Sequence, residues 1–258
     1  MKINIDDTYM NVIKFGNGNK NLVIIAGVTL CGLEGQGDAI ARTHKDYVKD
    51  YTVYIIERKK ELPDGYSIKQ MAEDTYRVLG ELGIKKTYLY GVSQGGMIAQ
   101  CIAAYHPEVV EKMVVCSSQC RTTKTARGVI EKWIELAEAN NVVGINRSFF
   151  EKVYSKAFLE KNKEMLPILE KQGTKENCKR FKILLTACDE FDIYDEMDKI
   201  KCPTCVIGDK DDNVIGVEGS YDIIERLKCK SYIYEGYGHA VYDETDDITE
   251  KILTFFEE

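Results

Sequence analysis

Gly91 and Gly95 stand two residues before and two residues after Ser93, between the apolar run Thr87 to Tyr90 and the helix-like run Gly96 to Tyr105. No other feature constrains the chain as strongly. A serine mounted on a sharp strand-to-helix turn is forced into a strained backbone conformation, and side chains at the two flanking positions would collide with the adjoining strand and helix. Gly91-Val92-Ser93-Gln94-Gly95 therefore predicts a strand, a tight turn and a helix in succession, with the Ser93 hydroxyl displayed at the turn.

The flanking sequence supplies a scaffold for such a turn. Candidate strands are Tyr9 to Phe15, Asn21 to Ala26, Tyr51 to Glu57, Thr87 to Tyr90 and Val110 to Ser117, preceded by an alternating N-terminal stretch, Met1 to Asp7, that reads as an edge strand. Ser67 to Gly83 carries Met71, Ala72, Tyr76, Leu79 and Leu82 at helical spacing, and a second helix runs from Gln94 to Tyr105, ended by His106-Pro107. This alternation predicts an α/β fold with a mostly parallel, doubly wound sheet covered on both faces. From Arg121 to Met197 the strand pattern disappears and the chain becomes charged and helical, with Trp133, Phe149, Phe150, Tyr154 and Phe158 interspersed. That stretch predicts an inserted helical cap, residues 121–197, on a core made of residues 1–120 and 198–258. In the second part of the core, a strand at Thr204 to Gly208, a helix at Val217 to Leu227, a strand at Lys230 to Tyr234 and a helix from Asp246 to Phe256 complete the pattern.

A chain of 258 residues with 44% hydrophobic side chains can bury one large core. Thirty-five basic against forty-two acidic residues leave a net charge of -7, spread in mixed clusters such as Arg58-Lys59-Lys60-Glu61. That balance argues against a nucleic-acid partner, which would need a basic face. No run reaches the length of a membrane span, the N-terminus lacks the apolar core of a signal peptide, and nine cysteines without a framework pattern fit a reducing cytosol, so a cytoplasmic location is expected. Cys202-Pro203-Thr204-Cys205 has redox-motif spacing, but it leads into an apolar strand and not onto a helix N-terminus, where a thiol would be activated.

A serine hydroxyl needs a base to take its proton and a third group to hold that base. Three histidines are available. His44 lies in the polar stretch Arg42 to Asp46 and reads as a solvated helix face; His106 ends a helix; His239 sits in the glycine-flanked loop Gly236-Tyr237-Gly238-His239-Ala240, directly after the last expected strand. His239 is the candidate base. The acid is expected on another loop after a strand, and the stretch Gly208 to Gly216 supplies Asp209, Asp211 and Asp212. Asp212 is preferred because one variable residue, two aliphatics and a glycine follow it; Asp211 is the alternative, and Asp209 is expected to face solvent.

The order Ser93, Asp212, His239, together with Met71-Ala72-Glu73-Asp74, Gly96-Met97-Ile98-Ala99-Gln100 and Gly238-His239, resembles the α/β-hydrolase superfamily in its cap-bearing branch of esterases, lipase-like enzymes and carbon-carbon-bond hydrolases. The resemblance implies an oxyanion hole formed by the backbone N–H of Gln94 and of Val28. Where many relatives carry His-Gly, this chain has Ala26-Gly27-Val28-Thr29. Serine at position 93, where haloalkane dehalogenases and soluble epoxide hydrolases carry aspartate, argues against those two chemistries. The expectation is a serine hydrolase without metal or cofactor, acting on a small acyl substrate such as a carboxylic ester. Acyl transfer, carbon-carbon-bond hydrolysis and a non-catalytic ligand receptor are the alternatives.

Overall fold

The computed structural model describes all residues, Met1–Glu258. Eight strands form one sheet: β1 (Lys2–Ile5), β2 (Thr8–Phe15), β3 (Lys20–Ile25), β4 (Tyr51–Lys59), β5 (Thr87–Val92), β6 (Val110–Cys116), β7 (Thr204–Asp209) and β8 (Lys230–Tyr234). Their spatial order is β1-β2-β4-β3-β5-β6-β7-β8. The pairs β1/β2 and β2/β4 are antiparallel, and every pair from β4/β3 to β7/β8 is parallel. The continuous apolar runs in β3 to β7 follow from this arrangement, because a parallel strand covered on both faces has no solvent side on which to place polar residues.

Eleven α-helices accompany the strands: α1 (Gly37–Thr43), α2 (Ile68–Glu81), α3 (Gln94–Tyr105), α4 (Lys124–Glu138), α5 (Val142–Val153), α6 (Lys156–Lys161), α7 (Leu166–Leu169), α8 (Lys175–Asp189), α9 (Val217–Leu227), α10 (Val241–Glu244) and α11 (Ile248–Glu257). Helix α2 begins where Ser67 and Gln70 form a reciprocal capping box, and it buries Ile68, Met71, Ala72, Val78 and Leu79 against the core. Helix α3 is buried on all sides from Gln94 to Ala104. That explains its near-absence of charge: it lies beneath the other helices, against β5 and β6. Burial divides into two apolar clusters, one on each side of the sheet. Along β4, Tyr54 and Ile56 belong to the larger cluster and Tyr51, Val53 and Ile55 to the smaller.

Between β6 and β7 the chain leaves the sheet. Residues 121–197 contribute no strand to it and form α4 to α8, followed by a short 3₁₀ turn at Tyr194–Lys199. The two ends of this excursion are joined at its base. Arg121 and Asp192 form an isolated antiparallel bridge, Thr122 N–H donates to the Phe191 carbonyl at 3.0 Å, and Ile193 N–H donates to the Cys120 carbonyl at 2.8 Å. Helices α4 and α8 pack against each other, with Trp133 and Phe181 rings 6.1 Å apart. No helix is long and apolar enough to cross a membrane.

Two expectations need correction. Asp209 does not face solvent: it is the last residue of β7, 1% exposed, and its two carboxylate oxygens accept from Asp211 N–H at 2.8 Å and Tyr237 N–H at 3.1 Å. A carboxylate at the end of a buried strand can satisfy both oxygens on backbone donors of the following loops. His44 likewise is half-buried, because its ring turns inward beside Tyr47 and bonds the Ile40 carbonyl at 2.9 Å. His106 ends α3 as expected, stacking on Tyr76 with ring centroids 3.6 Å apart.

Candidate active site

Ser93 joins β5 to α3 with φ 52° and ψ -121°, a conformation that costs a non-glycine residue energy and is retained where its surroundings enforce it. The two flanking glycines are required for space. A Cβ on Gly91 would lie 2.5 Å from the Gly95 carbonyl oxygen, and one on Gly95 would lie 1.9 Å from the Ile25 carbonyl oxygen of β3. The turn is closed further by Ser118, whose hydroxyl donates to the Ser93 carbonyl at 2.7 Å.

Two loops on the far side of the sheet's carboxyl edge bring Asp212 and His239 together. Asp212 Oδ2 lies 2.8 Å from His239 Nδ1, with Asp212 7% and His239 4% exposed. The other oxygen, Oδ1, accepts from Val214 N–H at 2.8 Å and Ile215 N–H at 3.0 Å. Burial pushes this carboxyl up, but the imidazole and the two backbone donors outweigh it and hold Asp212 below the usual carboxylate value. With Nδ1 occupied by Asp212, Nε2 is the imidazole nitrogen left to face the cavity.

Ser93 and His239 line the same cavity, of about 40 Å³, together with Gly27, Val28, Trp133, Phe149 and Tyr242. Ser93 Oγ and the His239 imidazole share this cavity without a direct hydrogen bond between them. The loop after β3 reaches the serine closely, since a Cβ on Gly27 would lie 3.2 Å from Ser93 Cβ and 3.8 Å from its hydroxyl. Val28 and Gln94 thus flank the serine from two sides. A second, larger and mostly apolar cavity of about 290 Å³ shares Gly27, Val28, Phe149 and Tyr242 with the first and extends under α1 to Ile40 and Tyr47.

The remaining candidates fall elsewhere. Asp211 points to the outside of its loop, where Oδ2 accepts from Gly236 N–H at 2.8 Å. Cys202 and Cys205 flank the start of β7, and burial pushes their thiols up to about 11 and about 12. Neither has the lowered pKa of a reactive thiol. No group of three or more His, Cys, Asp or Glu side chains is placed to hold a metal ion.

Arg58 was not singled out from the sequence, where it stood only as one member of a mixed charge cluster. It is 8% exposed, and its Nε donates to Gln94 Oε1 at 2.9 Å. Burial pulls its guanidinium down to about 10. The signal for it lay in the two-residue period of β4, which puts residue 58 on the same face as Tyr54 and Ile56, inside the larger apolar cluster.

The fold is shared with known proteins. The sequence profile of the alpha/beta hydrolase fold matches residues 35–246. The chain belongs to the α/β-hydrolase family, a family of enzymes. A Rhizobium rhizogenes protein carrying the carbamate hydrolase name RutD is 24% identical over 234 residues, covering 87% of this chain and 89% of that one. A Haemophilus influenzae protein named as an esterase/lipase is 24% identical over 231 residues, covering 87% and 80%. Among solved structures, MGS-M2, an alpha/beta hydrolase enzyme from a Medee basin deep-sea metagenome library, superimposes with a TM-score of 0.87 at 21% identity, covering 100% of this chain and 98% of the other.

Proposed function

We propose that the protein is a serine hydrolase that cleaves a small carboxylic ester or related acyl compound through Ser93, His239 and Asp212. One observation carries the reading: a buried imidazole paired to a buried carboxylate at 2.8 Å opens onto the same cavity as a serine held at φ 52°. Ser93 Oγ attacks the acyl carbon while its proton passes to His239 Nε2, and the carbonyl oxygen becomes an oxyanion held by Gln94 and Val28 N–H. The tetrahedral adduct collapses, the leaving group takes the proton from His239, and water, deprotonated by the same imidazole, releases the acid and frees Ser93. Asp212 fixes the tautomer throughout and stabilises the imidazolium.

The cavity beside Ser93, at about 40 Å³, has room for a short acyl group, and the adjoining 290 Å³ cavity supplies space on the other side of the Gly27–Val28 wall. An ester and a carbamate both present an acyl carbon to this machinery, in keeping with the names borne by the relatives. Helices α4 to α8 serve in this reading as the cap, since Trp133 of α4 and Phe149 of α5 close the cavity over the serine. Ser93→Ala is expected to lower kcat for p-nitrophenyl acetate by about 10⁴-fold or more and to abolish fluorophosphonate labelling. Labelling or turnover that survives the substitution removes Ser93 from its role.

A further inference from the structure

A guanidinium buried without a carboxylate partner is costly, and this fold holds one directly behind the candidate oxyanion hole. Arg58 is 8% exposed, forms no salt bridge, and leaves Nη2 buried without a hydrogen-bond partner. Its two bonds go to the two backbone segments that flank Ser93. Nε donates to the side chain of Gln94 at 2.9 Å, and Nη1 donates over 3.4 Å to the Gly27 carbonyl oxygen.

The second bond matters because of which peptide it touches. The Gly27 carbonyl and the Val28 N–H belong to one planar unit, and the chain contains no cis peptide, so the two groups point in opposite directions. A guanidinium that holds the carbonyl fixes the direction of the N–H, and it polarises the same amide by drawing electron density toward its oxygen. The first bond acts on the other donor. Gln94 is fully buried, and its side chain is held at three points: Oε1 by Arg58, and Nε2 by donation to the Leu184 carbonyl at 2.8 Å and to Cys188 Sγ at 3.1 Å. Helix α8, which carries both acceptors, is itself fixed to the end of β4 by Arg180, whose Nη1 donates to the Lys59 and Lys60 carbonyls at 2.8 Å each.

Building on the hydrolase reading above, we propose that Arg58 is a positioning residue that aligns the Val28 and Gln94 N–H groups as one oxyanion-binding pair and adds a fixed positive charge behind them. It touches no substrate. Its effect is on the charge that develops in the transition state, so it appears in kcat and leaves ground-state binding largely unaltered.

The test uses the full-length protein with p-nitrophenyl acetate and a trifluoromethyl ketone, whose serine adduct carries an oxyanion. Arg58→Met is expected to lower kcat by about 10- to 100-fold, less than outright loss of a donor costs, and to weaken the ketone by a similar factor while KM stays within about threefold. Arg58→Lys keeps the charge without the fork and is expected to recover part of the loss. A paired variant separates alignment from folding. Gln94→Met alone strands the Arg58 Nε, whereas Arg58→Met with Gln94→Met removes both partners and is expected to restore thermal stability without restoring kcat. Recovery of kcat together with stability, or a change confined to KM, overturns the proposal, and Arg58→Lys with Gln94→Met decides it if Arg58→Met does not fold. Failure of fluorophosphonate to label the wild-type Ser93 ends both readings; labelling that occurs normally, with kcat unchanged in the Arg58 variants, ends this one alone.

Discussion

At the Ser93 turn, backbone meets backbone: β3, β5 and the start of α3 approach so closely that a methyl group on Gly95 would sit 1.9 Å from a carbonyl oxygen. The arm that carries Asp212 and His239 is built differently. Its loops are stapled by carboxylates that accept backbone N–H bonds: Asp209 from Asp211 and Tyr237, Asp211 from Gly236, and Asp212 from Val214 and Ile215. Steric exclusion tolerates almost no substitution, whereas a hydrogen-bonded staple can be lost singly and the loop can relax. The serine is therefore placed by the fold as a whole, and the imidazole by a few replaceable side chains.

Breaking the steric side should have the largest effect on stability. Gly95→Ala is expected to destabilise the protein by at least about 3 kcal/mol, since the atom it meets is main chain and cannot rotate away. A denaturant titration checks it, and a midpoint close to wild type would show that the turn is not space-limited.

On the hydrogen-bonded side, Asp212→Asn is expected to leave the protein folded and lower kcat by about 10⁴-fold, because an amide at this position favours the wrong imidazole tautomer. It also has a pH signature. The folded carboxyl lies below its ordinary value, so its stabilisation is present in full above the unfolded pKa, about 3.9, and is lost as pH falls through the folded value. The unfolding free-energy gap between wild type and Asp212→Asn should therefore narrow below about pH 4. A gap that widens there would contradict the assignment.

The smallest effect is expected at the outer staple. Asp211→Asn should change stability by no more than about 0.5 kcal/mol and kcat/KM by about twofold or less. A loss as large as that at position 212 would exchange the roles of the two aspartates.

The same contrast explains what could be read in the sequence. Crowding around Ser93 leaves glycine as the only admissible residue at two fixed offsets, so the turn, the strand before it and the bounds of α3 at Gln94–Tyr105 were all legible. His239 could be singled out as the candidate partner of Asp212 because only three histidines exist and one follows the last strand. The aspartates were harder, since three of them within four positions differ in the partners they meet, and the partners that separate them, Gly236 N–H, Tyr237 N–H and His239 Nδ1, lie 25 or more residues away. Asp209 was misread for that reason. Arg58 was missed because the expected strand stopped at Glu57, one residue short of it, so the two-residue period that puts it on the buried face was not carried far enough. The helices of residues 121–197 were foreseen as a class, but their cavity-lining residues, Trp133 and Phe149, could not be separated from packing aromatics by spacing alone.

The helical excursion is tethered at both of its working ends. Leu184 and Cys188 of α8 bind the side chain of the residue next to Ser93, while the Val153 carbonyl at the close of α5 accepts from Ala240 N–H, one residue past His239. Grafting this segment between family members, or trimming it, would thus disturb the surroundings of Ser93 and His239 at once. Engineers seeking new specificity here have reason to leave those two anchor points intact and to vary only the residues that face the cavity.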